Sequence, residues 1–576
     1  MTDDAMDARP PRRLHVLLLV LLPAVVQAAI VTVFGSRMFL RDEFMYVSAF
    51  REIGAGKPWL SWIWRQHNEH RIVWTKLLFF AHAGVSGWNP IVDMYASAAL
   101  TAVIAWGIWK LYRAAGPAPP AYFVAVALLL CSLAQYMNML YGLMTCHYFT
   151  MAGMIWAMVF LLRKTWKALA AAIACALVAL VSTLNAIVIA PIGLLVLVMT
   201  RQARARWVAW SAAMLGWAYV YFRDYESPRS AVRFDWSSPS AILQAADTFL
   251  VNLGSPLSTA DLGWSHVLGA ITVGALLLLW WAVWVFGKRE SHAGLVGLSL
   301  IPVGCAAAIA LGRSADLASP ALESKYVGYA TLALVAPYLG LAALPGLRAR
   351  RAVLYALTAV IAIGVVAANV AGFKQAKTWR HDRDRAAYLL QTIEIQTDEN
   401  VASLYKEPQL RDDAAYLRAT RLGPFHRAVD VLVAPRWREG LPTGPIAAGA
   451  PLSAHIVCPV DTLVDVGLVV SPFPGGARTG RAFVSVSAGG QVLGRGQIDA
   501  SEVQGIRYVR VDLDSPVRGC RGRDLIVEAT SADPAGGIHS WTYPVYYAGV
   551  TRQGGRLLDR RSLGVTFNAF SYGLIE

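Results

Sequence analysis

Long apolar stretches occupy most of the first two thirds of this chain of 576 residues. A helix needs about 20 predominantly apolar residues to cross the hydrocarbon core of a bilayer. The stretches that approach this length predict a polytopic α-helical membrane protein with about eleven transmembrane helices. They lie near residues 13–34, 90–110, 120–136, 147–162, 168–183, 185–200, 207–222, 266–287, 293–311, 327–345 and 352–372.

The composition of the chain changes near Gly372. Only 15% of all residues are charged, whereas soluble domains contain about a quarter, and the deficit lies before this point. We therefore predict a transmembrane domain over 1–372, a helical linker region over 373–430 and a soluble domain over 431–576.

The predicted soluble domain contains short runs that alternate between apolar and polar residues, as in RAFVSVSA and IRYVRVDL. Gly and Pro separate the runs, a pattern that predicts an antiparallel β-sandwich. The strand-like runs lie at 453–458, 462–470, 481–487, 506–513, 523–529 and 541–550.

Every second connection between the predicted spans is short and basic. Positively charged connections remain in the cytoplasm, which predicts a cytoplasmic N-terminus. An odd number of spans then places the C-terminal domain in the periplasm or outside the cell, and we expect a multi-pass protein of the bacterial inner (plasma) membrane. The net charge of +15 is explained largely by this topology and requires no nucleic-acid partner. The basic connections contain Arg12, Lys110, Arg163, Arg201, Lys288 and Arg348.

Cys458 and Cys520 are the only cysteines of the predicted outer domain. An oxidising compartment permits disulfides, and each cysteine lies beside a strand-like run, so we predict a disulfide between them. The alternative is two buried free thiols. The chain has no CxxC or Cys/His spacing of the kind that binds zinc.

Two adjacent carboxylates, Asp42 and Glu43, lie just beyond the outer end of the first predicted span. One interpretation is a solvated helix N-terminus, where acidic residues are favourable. The other is catalytic, because cationic residues such as Arg41, Arg51 and Arg65 crowd the same loop. Carboxylates and cations together suit a base that acts beside an anionic group.

The same loop contains an unbroken run of polar residues from Gln66 to Arg71. We interpret His67, Asn68, Glu69, His70 and Arg71 as substrate-binding residues or as a polar network that fixes the loop. A metal site would require His67, Glu69 and His70 to converge, and they are too close in sequence to do so on a regular helix.

Arg313, Lys325 and Tyr326 lie around the connection between two later spans on the same predicted face. The two cations either extend from the membrane to the interface or clamp a phosphate. Both interpretations remain open from the residues alone.

These features together resemble the GT-C superfamily of integral-membrane glycosyltransferases. The resemblance rests on an acidic residue in the first outer loop, interfacial helices in that loop, about eleven spans and a soluble outer domain. The sequences RDEF, QHNEHR and GR…SKY are similar to motifs in a poorly characterised bacterial branch of such proteins.

The resemblance implies an inverting transfer of a sugar from a polyprenyl-phosphate donor to a glycan, lipid or protein acceptor on the outer face. It implies Asp42 as the base, with Glu43 as the alternate, and basic residues that hold the lipid phosphate. Metal-dependent relatives use spaced acidic pairs, whereas Asp42 and Glu43 are adjacent, so we expect no obligatory metal and no cofactor besides the donor substrate.

Two other classes of function fit the sequence. One is a transporter or flippase of lipid-linked glycans, although such proteins more often carry charged or broken helices at mid-membrane. The other is a non-catalytic envelope protein whose β-domain binds glycan. The clustering of polar residues at one face favours the transferase, and the sugar and the acceptor remain open.

Overall fold

The computed structural model describes most of the chain, and the description below concerns those residues. They are 13–227, 234–258, 261–313, 324–344, 350–391, 393, 401–402, 404–405, 409–426, 441–458, 462–474, 480–505, 507–520, 522–532, 537–544, 551–554, 556–557, 561–563 and 565–567.

The chain divides into two compact units, and neither is continuous in sequence. The first unit consists of residues 1–35 and 56–379, and the second of residues 36–55 and 380–576. The boundary predicted after residue 372 falls inside the helix Arg350–Gln391. Residues 36–55, which contain Asp42 and Glu43, therefore belong to the same unit as the β-rich tail.

The described residues form seventeen α-helices. In chain order they are α1 Arg13–Phe34, α2 Met45–Gly54, α3 Trp59–Trp64, α4 Val73–Ser86, α5 Pro90–Ala115, α6 Pro120–Leu130, α7 Tyr136–Leu140, α8 Thr145–Leu161, α9 Trp166–Leu180, α10 Ile189–Met199, α11 Arg204–Phe222, α12 Pro239–Gly254, α13 Leu262–Val285, α14 Arg289–Arg313, α15 Ser324–Ala343, α16 Arg350–Gln391 and α17 Leu410–Thr420.

Within the described part of the chain, eight helical segments are long and apolar enough to cross a membrane. Each coincides with one of the eleven predicted spans, so the prediction of a largely helical protein with several segments able to cross a membrane is confirmed. The eight segments are Leu14–Phe34, Pro90–Ala115, Pro120–Leu140, Gly142–Leu161, Leu262–Val285, Arg289–Gly312, Ser324–Ala343 and Arg350–Arg380.

The other three predicted spans correspond to α9, α10 and α11. The 15 residues of α9 extend about 22 Å at 1.5 Å per residue, less than the roughly 30 Å of the hydrocarbon core. Helix α10 is shorter still, and α11 begins with Arg204 and Arg206 in its first turn. The total of eleven crossings therefore stays a prediction.

Three connections of the first unit meet at what we call the Lys164 end. Lys164, which follows α8, forms an ion pair of 2.5 Å with Glu290 in the first turn of α14. Arg206 in the first turn of α11 donates a hydrogen bond to the carbonyl of Lys164, and Gln202 donates one to Leu161. The end of α8 and the starts of α11 and α14 thus lie together.

The opposite ends of the neighbouring helices meet at what we call the Arg71 end. The Val73 amide donates to the carbonyl of Val181, which follows α9, over 2.9 Å. Arg71 donates to the carbonyl of Tyr221, near the end of α11, over 2.7 Å. Since α9 starts near Lys164 and α11 starts at Arg204, both helices run from the Lys164 end to the Arg71 end.

Small residues allow the closest helix contacts. A Cβ atom added to Gly153 of α8 would lie 2.6 Å from the Cys175 carbonyl oxygen of α9, and one added to Gly269 of α13 would lie 2.1 Å from the Leu250 carbonyl oxygen of α12. Real Cβ atoms do not approach so closely, so these positions require glycine. Glycine at such contacts is typical of helices that pack within a membrane.

The described residues of the second unit form two antiparallel sheets of six strands each. In the first, the order is β1-β8-β3-β12, with β11 paired to β8 and β6 paired to β3; in the second it is β10-β9-β2-β7-β4-β5. The strands are β1 Leu441–Pro445, β2 Leu452–Val457, β3 Thr462–Pro472, β4 Arg481–Ala488, β5 Gln491–Asp499, β6 Arg507–Arg518, β7 Asp524–Ser531, β8 Ile538–Pro544, β9 Thr551–Gln553, β10 Arg556–Leu557, β11 Arg561–Leu563 and β12 Val565–Phe567.

The two sheets share one apolar core. Val466 and Leu468 of β3 and Val484 of β4 are fully buried in the same cluster, because alternate residues of a strand point to the same face. The predicted β-rich tail is confirmed, and its arrangement is sandwich-like. Each of the six predicted runs overlaps a strand, although residues 545–550 of the last run lie outside the described residues.

Cys458 and Cys520 are joined by a disulfide, with their Cα atoms 5.7 Å apart. Cys458 directly follows β2, and its amide donates to the carbonyl of Arg523 over 2.9 Å. Both cysteines are fully buried in the shared core. The bridge therefore links the end of β2 to the turn that precedes β7.

Candidate functional site

Asp42 and Glu43 lie in a 3₁₀ turn, Arg41–Phe44, that leads directly into α2. The Glu43 side chain is buried, and its Oε2 atom accepts the Leu40 amide over 2.9 Å. Because Glu43 turns back onto its own backbone, it holds the turn together. Asp42 is half-buried, which makes it the more accessible carboxylate of the predicted pair.

Backbone strain is concentrated in the loop around these residues. Among the described residues, six that are not glycine have a positive φ, and four of them, Arg41, Asn68, Ile72 and Trp88, lie between residues 36 and 89. The φ of 43° at Ile72 is unfavourable for a β-branched side chain. Strained backbone is often found at functional sites, where surrounding contacts maintain it.

The predicted substrate-binding run folds into a tight turn rather than a helix. His67 and His70 exchange backbone hydrogen bonds of 2.7 and 2.8 Å, and Asn68 occupies the left-handed region that asparagine tolerates. The Glu69 carbonyl accepts the Tyr221 hydroxyl over 3.0 Å, and the His70 Nδ1 atom accepts the Leu184 amide over 3.1 Å.

Arg71 is engaged in holding the fold of the first unit. Its Nη1 atom donates to the Trp64 carbonyl over 2.7 Å, and its Nη2 atom donates to the Tyr221 carbonyl and to Asp224, each over 2.7 Å. The guanidinium also lies over the Trp64 and Tyr221 rings. Since its side chain is only 2% exposed, Arg71 joins the loop to the end of α11.

Lys76 is a second buried cation of this loop, and nothing in the sequence indicates its burial. Its side chain points from α4 toward the carbonyls of Ile63 and Arg65, which accept its hydrogen bonds. Burial, together with the positive charges of Arg71 and Arg65, lowers the pKa of Lys76 to about 7.

A polar network lies inside the first unit at the Arg71 end. His147 of α8 and the Tyr329 hydroxyl of α15 are 2.8 Å apart, and the same hydroxyl lies 3.5 Å from Thr183. All three side chains are buried. The His70 ring accepts the amide of Leu184, the residue that follows Thr183, and Lys325 lies one helical turn before Tyr329 on α15. Two of the predicted substrate-binding residues therefore lie beside this network.

Asn138 extends the network beside α15. Its Nδ2 atom donates to the Ser324 carbonyl over 3.3 Å, whereas its buried Oδ1 atom has no hydrogen-bond partner among the described residues. A Cβ atom added to Gly328 would lie 3.2 Å from Nδ2, so glycine makes room for the amide. Asn138 and His147 are recognisable in the sequence as polar residues near span ends, but nothing in it shows that they meet α15.

The remaining predicted residues flank the same helix ends. The Lys325 Nζ atom lies 5.0 Å from the centre of the Tyr326 ring, and Tyr326 is buried. Arg313 is the last residue of α14, and its side chain lies outside the described residues. Lys325 is therefore the predicted phosphate-binding cation whose position the structure describes.

A His–Asp pair with a fully buried carboxylate has no recognisable signal in the sequence. The His82 Nε2 atom of α4 lies 3.0 and 3.1 Å from the two carboxylate oxygens of Asp93, and its Nδ1 atom lies 2.6 Å from the Ser86 hydroxyl. Asp93 is fully buried in the first turn of α5. Acidic residues at helix starts are common, so the sequence alone favoured an ordinary solvated position.

These residues fall into two groups, one in each unit. His70, Lys325, His147 and Tyr329 come together in the first unit, while Asp42 and Glu43 belong to the second. Within the described residues, no three His, Cys, Asp or Glu side chains lie together as metal ligands would, and His67, Glu69 and His70 form no such group. The first group offers cations and hydrogen-bonding groups enclosed by apolar helices.

No known protein family, no curated protein and no solved structure matches this chain. A function must therefore be inferred from the residues themselves.

Proposed function

We propose that this chain is a membrane glycosyltransferase that moves a sugar from a polyprenyl-phosphate donor to an envelope acceptor. The observation that carries the proposal is the buried network of His147, Tyr329 and Thr183. His70 bonds to the residue that follows Thr183, and Lys325 lies one helical turn before Tyr329 on α15. Such a donor combines a long apolar chain, an anionic phosphate and sugar hydroxyls. A site for it needs apolar helices, a cation and hydrogen-bonding groups next to one another, and the Arg71 end supplies all three.

In the proposed reaction, Asp42 accepts the proton of an acceptor hydroxyl. The hydroxyl oxygen forms a bond to the anomeric carbon while the bond from that carbon to the phosphate oxygen breaks, so the configuration inverts and polyprenyl phosphate leaves. A positioned base contributes about 10²–10⁴ in rate. Lys325, with Arg313, would stabilise the charge that develops on the departing phosphate.

The proposed topology places the N-terminus in the cytoplasm and the tail on the outer face of a bacterial inner membrane. Residues 36–55 and the tail belong to one unit, which supports their location on the same side. That arrangement requires an odd number of crossings, so one or all three of α9, α10 and α11 must be added to the eight long segments. Helices α9 and α11 both run from the Lys164 end to the Arg71 end, so α10 runs back between them, which favours all three as crossings. The disulfide fits an oxidising compartment.

Transfer of radiolabelled sugar is the direct test of the activity. Mass analysis of envelope glycans from cells with and without the protein identifies the sugar, and the purified protein is then given that sugar on polyprenyl phosphate. We expect Asp42→Asn to lower transfer at least about a hundredfold, while Asp412→Asn, at an exposed acid of α17, leaves it unchanged. Near-normal turnover of Asp42→Asn would reject this base, and loss only in Glu43→Gln would exchange the two roles.

Labelling of single cysteines with a membrane-impermeant maleimide tests the topology. We expect Glu226→Cys, at the Arg71 end, to react in intact spheroplasts, and Lys164→Cys, at the Lys164 end, to react only after the membrane is opened. Both side chains are exposed, so an absence of labelling would reflect sidedness. The opposite pattern would reverse the proposed orientation.

The alternative of a transporter or flippase for lipid-linked glycans is favoured by one observation. The buried pair of His82 and Asp93 is of the kind that carries protons in pumps and transporters. A fluorescent lipid-linked glycan in proteoliposomes distinguishes the two functions. Movement across the bilayer without sugar transfer would support the transporter.

A further inference from the structure

We infer that the tail positions the proposed catalytic turn, through a clasp formed by Arg51, Asp413, Phe44 and Tyr405. The inference rests on the proposed function only where it concerns the reaction. The clasp itself is a contact between residues 36–55 and residues 401–426 inside the second unit. It makes Asp413 and Tyr405 positioning residues for a base that lies more than 350 positions earlier in the chain.

The first part of the clasp is an ion pair between α2 and α17. The Arg51 Nη2 atom lies 2.8 Å from the Asp413 Oδ1 atom, and the same guanidinium lies 5.7 Å from the centre of the Tyr416 ring. The Asp413 side chain is 3% exposed and that of Arg51 is 39% exposed. A carboxylate so deeply buried requires a cation, so Asp413 fixes where the end of α2 can lie.

The second part of the clasp is aromatic and lies directly beside Asp42. The Phe44 ring stacks on Tyr405, with centroids 5.5 Å apart and planes 20° from parallel. Phe44 also meets Phe39 edge-on at 5.7 Å. Both aromatic residues that flank the acidic turn are therefore fully buried, and one of them is held by the tail.

Gly423 shows that the fit is close. A Cβ atom at this position would lie 2.2 Å from the Phe39 Cζ atom, and the φ of 58° is one that glycine adopts freely. The tail thus approaches both Phe39 and Phe44, which bracket Asp42. The strained φ of 40° at Arg41 lies between the same two aromatic residues, and such strain persists only where the surroundings maintain it.

A role in positioning predicts a specific kinetic effect. Asp413→Asn keeps an oxygen that can accept from Arg51 but removes the charge, so the unit should fold while the turn loosens. We expect kcat to fall about tenfold with the KM for the donor unchanged within about twofold, because the donor-binding residues belong to the first unit. Tyr405→Ala, which removes the stacking contact instead, should give the same pattern.

Two variants provide controls. Asp412→Asn changes the adjacent, exposed carboxylate of the same helix and should leave kcat unchanged. The exchange Arg51→Asp with Asp413→Arg restores opposite charges, and we expect it to recover part of the activity that either single exchange loses. Wild-type kcat in both Asp413→Asn and Tyr405→Ala would overturn the positioning role, as would a fall in kcat in Asp412→Asn of the same size.

Cross-linking tests the clasp without any reference to activity. A Cβ atom at Gly54 would lie 3.6 Å from the Tyr416 hydroxyl, so Gly54→Cys and Tyr416→Cys should be joined by a short bismaleimide in the full-length membrane protein. A protease site inserted within residues 314–323 separates the two positions, and the cross-linked fragments should still migrate together. Failure of the double-cysteine variant to cross-link would overturn the clasp. If that variant cross-links but the wild-type protein transfers no sugar, the proposed function is rejected instead.

Discussion

Charged side chains are buried at the Arg71 end of the first unit, whereas the ion pair at its Lys164 end is exposed. At the Lys164 end, the ion pair between Lys164 and Glu290 has both side chains more than half exposed, at 54% and 53%. At the Arg71 end, Arg71 is 2% exposed, Lys76 is buried and Asp93 is fully buried. Water solvates Lys164 and Glu290, whereas protein groups solvate Arg71, Lys76 and Asp93.

This difference shows which charges are needed for the fold or the site. An exposed ion pair contributes little to stability, about 0–1 kcal/mol, so the Lys164 end can carry charges that serve membrane orientation alone. A buried charge is costly unless it is paired and hydrogen-bonded. Arg71 and Asp93 have ionisable hydrogen-bond partners, and Lys76 has carbonyl acceptors. These contacts indicate that the three buried groups are retained for structure or function.

Arg71 should show the largest effect. In Arg71→Met, the buried carbonyls of Trp64 and Tyr221 lose a charged donor, and we expect a loss of about 3–5 kcal/mol in stability. Arg71→Lys should restore only part of it, because an ammonium group lacks the planar, fork-shaped geometry of the guanidinium. Thermal unfolding in detergent, followed by circular dichroism, measures both. A change below about 1 kcal/mol in Arg71→Met would remove the contrast between the two ends.

The pair of His82 and Asp93 should give the next largest effect. His82→Phe leaves the buried Asp93 carboxylate without its imidazole partner, and we expect a cost of about 2–3 kcal/mol. Replacing both residues, with His82→Phe and Asp93→Leu, should be less harmful than His82→Phe alone, since no buried polar group then remains unsatisfied. Denaturation of the single and double variants provides the comparison, and a double variant that is the less stable of the two would contradict it.

Lys76 should make stability depend on pH. Because its pKa is about 7 in the folded chain and 10.5 in the unfolded chain, the unfolded chain binds the proton more strongly between these values. Stability should therefore rise with pH from about 7 to 10, by at most about 1.4 kcal/mol per pH unit from this residue. Lys76→Met should lack this component. If the free energy of unfolding rises equally with pH in the variant and in the wild type, Lys76 is not responsible for the rise.

The smallest effect is expected at the Lys164 end. Lys164→Ala breaks an exposed ion pair with Glu290, and we expect stability to change by less than about 1 kcal/mol. The same thermal unfolding experiment measures it beside Arg71→Met. A loss as large as that of Arg71→Met would mean that both ends depend on their charges equally.

The sequence predicted the helices and strands better than the contacts of the polar residues. The length of an apolar stretch indicates a span regardless of which helices it packs against. The alternation in RAFVSVSA predicts the bounds of β4 to within one residue. The strand β5, with the sequence QVLGRGQID, was not predicted because two glycines interrupt its alternation.

The candidate site was predicted less completely, because its geometry depends on residues far apart in sequence. Arg71 was predicted either to bind substrate or to fix the loop, but its partners Tyr221 and Asp224 lie about 150 positions later. Nothing near Asp93 indicates that His82 reaches it, and nothing near His147 indicates that Tyr329 does. The sequence can show that a residue is polar and near a span end, but not which distant side chain it meets.

The second unit is built from two segments far apart in the chain, and this affects how it folds during synthesis. Residues 36–55 leave the ribosome early, but the tail that packs on them begins only at residue 380. At about 5–20 residues per second, roughly 20–70 s separate the two. During that time Phe39 and Phe44, which end fully buried, have no tail to cover them. A chain stopped before residue 380 should therefore expose this loop to proteases and chaperones, so the cell can distinguish an incomplete protein from a complete one.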